Sequence, residues 1–486
     1  MEQVKKGYIT LYLSLTLGIM LSLVFVLMEA VRNETMRTET EIVMDVSLYS
    51  VFGEFHRQLL EQYDLFFIDT SYGEGRPDVR RLEEHLQYYM NKNFHKENGK
   101  QWLEFRDLTN LSCDNVELEA YLCASDKEGQ VLKFQIVDYM QNKTGIENLE
   151  KILSGLQILE EKGYPNIDIL GEWDEADKTL DRLVKEKNEE LVDEETEQEP
   201  FIELDNPADY VKEVKAQGIL GLALPQEKQI SSMIIHPEYY LSHRNISHGT
   251  GDITIERTFL DKTTESFLLR EYFMEKCGFY NADKEKSLLK YQIEYLLFGN
   301  PGDLQNLEAV AEEILYIRGG INFIYLLSDY KKMEEAENLA WLISAVLFSP
   351  EIKDVVKATI LFSWSYAESV KDIRILLDGN KVPVLKTEET WNTPLSKLVS
   401  FSSCLNEYKV IEEGICYEDY LRFFLYKQPE KELLHRFMDI CEMDIRVTEG
   451  NEYFQMDGCV SGVKAKANVS SGYGNGYEIT RTYRYE

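Results

Sequence analysis

An uncharged apolar run near the amino terminus limits what this chain can fold into more than any other feature. Residues 8–28 read YITLYLSLTLGIMLSLVFVLM, and no charged side chain lies between Lys6 and Glu29. As an α-helix these 21 residues span about 32 Å, which matches the hydrocarbon core of a bilayer. The run therefore predicts a transmembrane helix over residues 7–31.

The charges around this run predict its orientation. Lys5 and Lys6 precede it, so the positive-inside rule keeps residues 1–6 as a cytoplasmic tail and places the bulk of the chain outside the cytoplasm. Two alternatives compete with an anchor. A cleaved signal peptide would need an unusually long apolar region, and the exit sequence MEA lacks a small first residue. A buried core helix rarely stays uncharged over this length at a chain end. We therefore expect a single-pass protein of the cell membrane.

Small residues recur on one face of the predicted span. Ser14, Gly18 and Ser22 are spaced every four residues, so they share a helix face and allow a second helix to approach closely. The alternative is chance, because small residues are common in membrane spans. The spacing predicts packing against other membrane helices, within the lipid bilayer.

The helix is predicted to continue beyond the membrane. Apolar residues recur at spacings of three or four, at Met44, Leu48, Val51, Phe55 and Leu59. This pattern is typical of one helix with a single apolar face, reaching to about residue 62. Its second half is expected to lie on a soluble domain, and a strand over 65–68 is expected to follow.

The opening KGYITLYLSLTLGIMLSLVFVLMEAVR, the segment LLEQYDLFFIDTSYG and the run ATILFSWSYAESVKDIRILLDGNKVPVLKTEETW carry a resemblance. They resemble a Gram-positive, clostridial-type family of membrane-anchored proteins with a domain of unknown function. The resemblance implies a pseudopilin-like protein of the tight-adherence (Flp-type) pilus apparatus, with pilus subunits as partners and without enzymatic activity.

One departure from the pilin pattern concerns processing. Pilins of this type are cut after a glycine and carry glutamate at the fifth position of the mature chain. Here Gly7 is the possible processing site, but the fifth residue after it is Tyr12. We therefore expect a permanent anchor rather than a polymerising subunit.

Composition excludes some classes of protein. Acidic residues number 86 and basic residues 52, which gives a net charge of −34. A field of this sign repels phosphate backbones, so nucleic acid is excluded as a partner. Seven cysteines occur without any C-x-x-C pair, so the common zinc and redox patterns are missing.

The soluble chain changes character several times along its length. The patterns predict an α+β domain at 32–173, an acidic linker at 174–206, an irregular segment at 207–256, a mainly helical domain at 257–445 and a β-hairpin region at 446–486. Within the first domain, residues 130–137 are expected to extend the sheet. The predicted fold class is α+β, with a helical domain inserted between the parts that form the sheet.

Two groups of polar residues need to be weighed as sites. His236, His243 and His248 have spacings of seven and five, which match no standard metal-ligand pattern. Glu368 and Asp372 follow an apolar helical run, where their charge predicts the exit of the helix to the surface. A catalytic carboxylate pair is the alternative, although no partner for it is visible. The sequence predicts no catalytic residue, no metal site and no cofactor.

The carboxyl end reads as a β-hairpin. Apolar and polar residues alternate in 463–469 and in 477–485, around the turn sequence SSGYGNG. A two-residue turn at 475–476 pairs Val469 with Thr482 and sets an apolar face against a polar one. A longer glycine-rich loop restores matching faces, and we prefer it. We predict that this hairpin pairs with the early strands and closes one sheet from both chain ends.

These patterns together predict an extracytoplasmic structural or assembly component that is anchored in the membrane and has no catalytic activity. One alternative is a surface adhesion or ligand-binding module that uses exposed tyrosines of the hairpin, namely Tyr473, Tyr477, Tyr483 and Tyr485. A further alternative is an envelope hydrolase, which no motif supports.

Overall fold

The chain forms two compact units in a computed structural model. The described residues are 2–94, 109–143, 218–224, 230–250, 253–254, 260–346, 350–474, 476–485 and a few positions between 175 and 186, without the side chains of 2–7, 346, 351 and 399–403. Unit 1 comprises residues 1–139, 239–259 and 441–486, and unit 2 comprises residues 140–238 and 260–440. The α+β fold class with an inserted, mainly helical region is confirmed.

The helices and strands are named here in chain order. They are α1 (Glu2–Phe52), α2 (Arg57–Tyr63), β1 (Ile68–Asp69), α3 (Val79–Phe94), β2 (Leu111–Cys123), α4 (Asp126–Lys143), α5 (Ile219–Ala223), α6 (Lys262–Lys276), α7 (Gln292–Phe298), α8 (Asp303–Ser328), α9 (Tyr330–Val346), α10 (Lys353–Leu377), α11 (Tyr417–Lys427), α12 (Glu430–Arg446), β3 (Cys459–Ser471) and β4 (Gly476–Arg484). Short 3-10 turns connect some of them.

Helix α1 has two halves of different character. Its 51 residues span about 77 Å, more than twice the thickness of a bilayer core. Beyond residue 35 one face is buried in the core of unit 1, and its members include Met36, Met44, Leu48 and Val51. The predicted continuation of the helix onto a soluble domain is confirmed over this stretch.

The predicted single helix to residue 62 is wrong at its end, because α1 stops at Phe52 and α2 begins at Arg57. His56 fixes this break from both of its ring nitrogens. Its Nδ1 accepts a hydrogen bond from the backbone N–H of Leu59 at 3.2 Å and caps α2. Its Nε2 lies 2.8 Å from Oδ1 of Asn451, at the other end of the chain.

The sheet of unit 1 has β3 at its centre. Strand β2 pairs with one side of β3, while β1 and β4 follow one another along the other side, and all three pairings are antiparallel. The prediction that the carboxyl hairpin and the early strands form one sheet is confirmed. Strand β3 lies between β2 and β4, so the sheet cannot form until both chain ends are present.

The hairpin register also follows the prediction of a longer loop. Val469 pairs with Tyr477 and Ala467 with Ile479, so apolar residues face apolar ones. Strand β1 is shorter than the predicted strand over 65–68. The backbone N–H and carbonyl of Phe66 instead bond to the side-chain amide of Gln135, at 2.9 and 2.7 Å.

The expected strand at 130–137 is wrong, because these residues belong to α4. Its first turn is irregular, with Lys127, Glu128 and Gly129 in the left-handed region. Asp126 precedes them, and its Oδ2 accepts the backbone N–H of Cys123 at 2.7 Å. This bond turns the chain away from the sheet directly after β2.

Part of the predicted irregular segment is fixed within unit 1 by Arg244. Both terminal nitrogens of its guanidinium lie 2.7 Å from the carboxylate oxygens of the buried Glu442. Arg244 also bonds to Asp457, which in turn accepts the backbone N–H of Ser247 at 2.8 Å. This bidentate pair fixes the loop that follows the 3-10 turn at Leu241–His243.

Unit 2 is built around α10. Nearly every residue of this helix from Thr359 to Leu377 is buried, as expected for a central helix. Most of the predicted acidic linker at 174–206 lies outside the described residues. Within it, Leu180 is fully buried in the same cluster as Ala336 and Trp364, so this residue belongs to the core of unit 2.

In the part of α1 that follows the apolar run, we expect side-chain truncation to lower the free energy of unfolding far more on the buried face than on the exposed face. Leu48→Ala should lower the free energy of unfolding by about 2–5 kcal/mol, because it leaves a cavity at a side chain only 1% exposed. Val46→Ala, at a side chain 47% exposed on the same helix, should cost less than about 0.5 kcal/mol. Denaturant titration of the full chain in detergent micelles measures both, and equal losses would contradict the packing described.

Candidate functional site

The first half of α1 lies open on the surface of unit 1. Its apolar side chains are exposed throughout, with Tyr8 at 71% and Phe25 at 66%. Among the described residues, α1 is the one helix long and apolar enough to cross a membrane. The alternative of a buried core helix is therefore wrong. A signal sequence near the amino terminus would satisfy the same criteria of length and apolar composition.

The structure places the predicted helix-packing residues on the open part of α1. Ser14, Gly18 and Ser22 are exposed, and nothing lies within 4 Å of a Cβ built at Gly18. The Ser14 hydroxyl bonds to its own helix, donating to the carbonyl of Leu11 at 2.9 Å. Gly7 lies inside α1. Within unit 1 this small-residue face has no partner among the described residues.

A groove opens where the exposed half of α1 meets the folded part of unit 1. It has a volume of about 680 Å³. About three turns of α1 form one wall, with Val24, Phe25, Leu27, Met28, Glu29, Val31, Arg32 and Thr35. Thr109, ahead of β2, and Tyr473, in the hairpin turn, form the other. We call it the membrane-proximal groove.

Arg32 is the central polar side chain of this groove. Its Nη2 donates to Oε1 of Glu29 at 2.7 Å, and its guanidinium carbon lies 4.3 Å from the ring centre of Tyr473. A cation held over an aromatic face is attracted by the ring quadrupole. The Nε–H of Arg32 is buried and has no hydrogen-bond partner among the described residues. The groove therefore combines an apolar end, an ion pair and one unsatisfied donor.

The hairpin positions Tyr473 because β4 follows α1 side by side. Tyr477 lies 3.4 Å from Asn33 through its hydroxyl, and the hydroxyl of Tyr485 donates to the carbonyl of Phe52 at 2.6 Å. Three of the four hairpin tyrosines expected to be exposed thus pack against the core of unit 1. Tyr473 alone of the four is half exposed, at 50%. Sequence reasoning could not find the groove, since Tyr473 lies more than 400 residues from the α1 wall.

The carboxylates Glu368 and Asp372 lie in the interior of unit 2, so their predicted exit to the surface is wrong. Lys386 lies between them, with its Nζ 2.5 Å from Glu368 and 2.6 Å from Asp372. Arg318, on α8, approaches Asp372 at 2.9 Å through Nε and Nη2. All four side chains are fully enclosed, with two positive and two negative charges. We call them the buried ion network.

Further hydrogen bonds complete this network. Asn322 donates to Asp372 at 3.0 Å, and the backbone N–H of Asn392 donates to Glu368 at 3.0 Å. Burial by itself raises the pKa of Asp372, but the Arg318 and Lys386 charges outweigh it and hold the pKa below its ordinary value. The network joins α8, α10 and the segment after α10. Full enclosure gives a substrate no access to the carboxylates, so we assign them a structural role.

Another buried carboxyl in unit 2, that of Glu294, has no cationic partner among the described residues. Glu294 is completely buried and accepts hydrogen bonds from the backbone N–H of Tyr280 at 2.9 Å and the hydroxyl of Tyr417 at 2.8 Å. Burial raises the pKa of Glu294 to about 7, and the negative charge of Asp303 adds to this effect. Its Oε2 has no hydrogen-bond partner among the described residues.

The histidines and cysteines stand apart from these sites. His243 and His248 are exposed, and Nδ1 of His248 lies 3.5 Å from Asp126. His236, which belongs to unit 2, is also exposed. Among the described residues, no group of three or more histidine, cysteine or acidic side chains could hold a metal ion. The seven cysteines are unbridged, and six of them are buried.

The described residues define an α+β protein in which one helix, at the amino end, is long and apolar enough to cross a membrane. The chain belongs to the family of unknown function DUF5702, whose family model matches residues 195–471. This match covers unit 2 from residue 195 onward and extends through unit 1 residues 239–259 and 441–471, to the end of β3. No curated protein and no solved structure matches the chain.

We expect removal of the cation at the centre of the buried ion network to be strongly destabilising. Lys386→Met removes the ammonium that pairs with both Glu368 and Asp372 in the interior, and leaves Asp372 paired with Arg318. The free energy of unfolding should fall by about 3–5 kcal/mol. The control Lys381→Met changes an exposed lysine in the same segment and should cost less than about 0.5 kcal/mol. Adding Glu368→Gln to Lys386→Met should recover part of the loss, and a further loss in the double variant would contradict the network.

Glu294 should make the stability of unit 2 depend on pH. Below about pH 4.5 the carboxyl is protonated in both states. Between about pH 4.5 and 7 the unfolded chain loses the proton while the folded chain keeps it, so the free energy of unfolding falls as pH rises. The full effect is about 3 kcal/mol.

Glu294→Gln should remove this dependence. Thermal unfolding of the full chain between pH 5 and 8 measures the slope, with the exposed Glu285→Gln as a control that keeps it. The same slope in Glu294→Gln as in the unchanged chain would show that this carboxyl is not responsible.

Proposed function

We propose that the chain is a membrane-anchored structural or assembly component of a surface apparatus, without catalytic activity, and that its soluble units lie outside the cytoplasm. The observation that carries this proposal is the double use of α1. One continuous helix supplies an exposed apolar run of membrane-spanning length and then the core face of unit 1. A chain built in this way fixes its folded part directly at a bilayer surface.

The continuity of α1 supports a permanent anchor over a cleaved signal. Cleavage near residue 30 would remove the first half of α1, so the remaining helix would begin without the turns that precede it here. It would also remove the apolar wall of the membrane-proximal groove, including Phe25 and Met28. The side-by-side contact of α1 with β4 holds this helix rigidly to the sheet, which suits a part that carries load or sets a distance.

The particular apparatus we propose is a tight-adherence (Flp-type) pilus or a related surface machine. Support comes from the resemblance of the opening segment to minor pilins and from the long amino-terminal helix that lies on an antiparallel sheet. Tyr12 at the fifth position after Gly7 favours a role as a resident assembly component over one as a polymerising subunit. The partners we propose are other membrane helices, which contact the face of Ser14, Gly18 and Ser22.

One experiment tests the anchor and the packing face together. The full chain, made in a Gram-positive host, should stay in the membrane pellet after an alkaline carbonate wash and should be digested by protease added to intact protoplasts. Gly18→Ile should then reduce chemical crosslinking to neighbouring membrane proteins several-fold, because the larger side chain separates the helices.

The matched control is Thr16→Ile, which adds bulk to another face of the same span and should leave the crosslinks unchanged. Recovery of the intact chain in the soluble cytoplasmic fraction would overturn the anchor. Equal crosslinking in Gly18→Ile and in the unchanged chain would overturn the role of the small-residue face.

A further inference from the structure

We infer that the membrane-proximal groove binds one phospholipid with a zwitterionic amine head group, of the phosphatidylethanolamine class. This inference rests on the proposed membrane anchor and adds a specific ligand to it. The groove has a volume of about 680 Å³, which lies inside the range of about 300–1,000 Å³ typical of small-molecule sites.

The depth of the groove matches the position of a lipid in its leaflet. If residues 8–28 fill the hydrocarbon core, Val24 lies about 6 Å inside its boundary and Arg32 about 6 Å outside it. The apolar part of the wall, with Val24, Phe25 and Met28, is then level with the upper acyl chain. Arg32 and Tyr473 are level with the head group, where arginine and tyrosine side chains commonly lie. One lipid molecule therefore contacts both parts of the wall at once.

The guanidinium of Arg32 is held in a position where it can bind a phosphate. The ring of Tyr473 and the carboxylate of Glu29 hold its guanidinium in place, while its buried Nε–H has no partner among the described residues. Buried donors are nearly always satisfied in folded proteins, and an acceptor bound in the groove would satisfy this one. A phosphate oxygen is the strongest acceptor that a lipid head group offers to a guanidinium.

Charge selects the type of head group. Glu29 and Arg32 give the groove one negative and one positive charge, and the chain as a whole carries −34. A head group with a net negative charge is repelled by Glu29 and by the acidic protein around it. An amine head group places its phosphate at Arg32 and its ammonium at Glu29, so each member of this ion pair gains a second partner of opposite charge.

Native mass spectrometry of the full chain tests this assignment. The chain is extracted from membranes and kept in detergent micelles that contain equal amounts of phosphatidylethanolamine and phosphatidylglycerol. We expect one phosphatidylethanolamine per chain, retained at least fivefold over phosphatidylglycerol. Arg32→Gln should reduce the retained fraction at least fivefold, and Glu29→Gln should shift the preference toward phosphatidylglycerol.

Arg37→Gln is the matched control. Arg37 lies further along α1, is 68% exposed on its side chain, pairs with Glu41 and does not line the groove, so its loss should leave lipid retention unchanged. Tyr473→Ser gives a second test at a half-exposed turn residue and should also lower retention. A circular dichroism melt of each variant confirms that the fold is intact.

Several results would overturn the inference. They are equal retention of both lipids by the unchanged chain, unchanged retention in Arg32→Gln and Tyr473→Ser, or a co-purified polypeptide in place of lipid. A chain that is soluble without detergent would instead overturn the membrane anchor itself. The two failures are therefore distinguishable in one preparation.

Discussion

Unit 1 depends on the burial of the second half of α1 against a sheet that both ends of the chain build. The face with Met36, Met44, Leu48 and Val51 is covered mainly by α3 and the hairpin. Because β3 lies between β2 and β4, the core stays incomplete until the last residues of the chain are in place. A helix that continues from a membrane-length run is thereby joined to the carboxyl terminus through ordinary hydrophobic packing, with aromatic contacts such as Phe52 to Tyr483 at 4.6 Å.

Unit 2 is held together differently. Its central helix α10 is surrounded on all sides, and it carries charged residues into the interior where they are paired by Arg318 and Lys386. Apolar side chains of similar volume often stabilise a core as well as buried ion pairs do, but ion pairs tolerate few alternative arrangements. We interpret the buried ion network as a device that fixes how α8, α10 and the following segment pack. Double-mutant analysis of its four members separates this role in specificity from a simple role in stability.

The membrane-proximal groove connects the fold of unit 1 with its proposed surroundings. The hairpin turn reaches α1 at the level where the helix leaves its apolar run, so the last strand pair and the anchor meet at one place. A bound lipid there would act as part of the anchor, since it would fill the space between α1 and the turn. This arrangement suits a component whose soluble part must keep a fixed distance from the bilayer.

The sequence by itself determined the features that depend on local periodicity. The helix through the uncharged run, its apolar face as far as Phe52 and the alternation in the carboxyl strands were predicted correctly, and the parity of that alternation was enough to choose the longer hairpin loop. Tertiary structure decided everything that depends on partners distant in sequence. Glu368 and Asp372 look like surface charges until Arg318 and Lys386 neutralise them, and α1 ends at Phe52 because His56 is held by Asn451. Periodicity records which face of an element is apolar, since that follows from fixed helix and strand geometry. It does not predict which charge, capping residue or aromatic ring from a distant part of the sequence will contact that face, because those contacts form only when the chain folds.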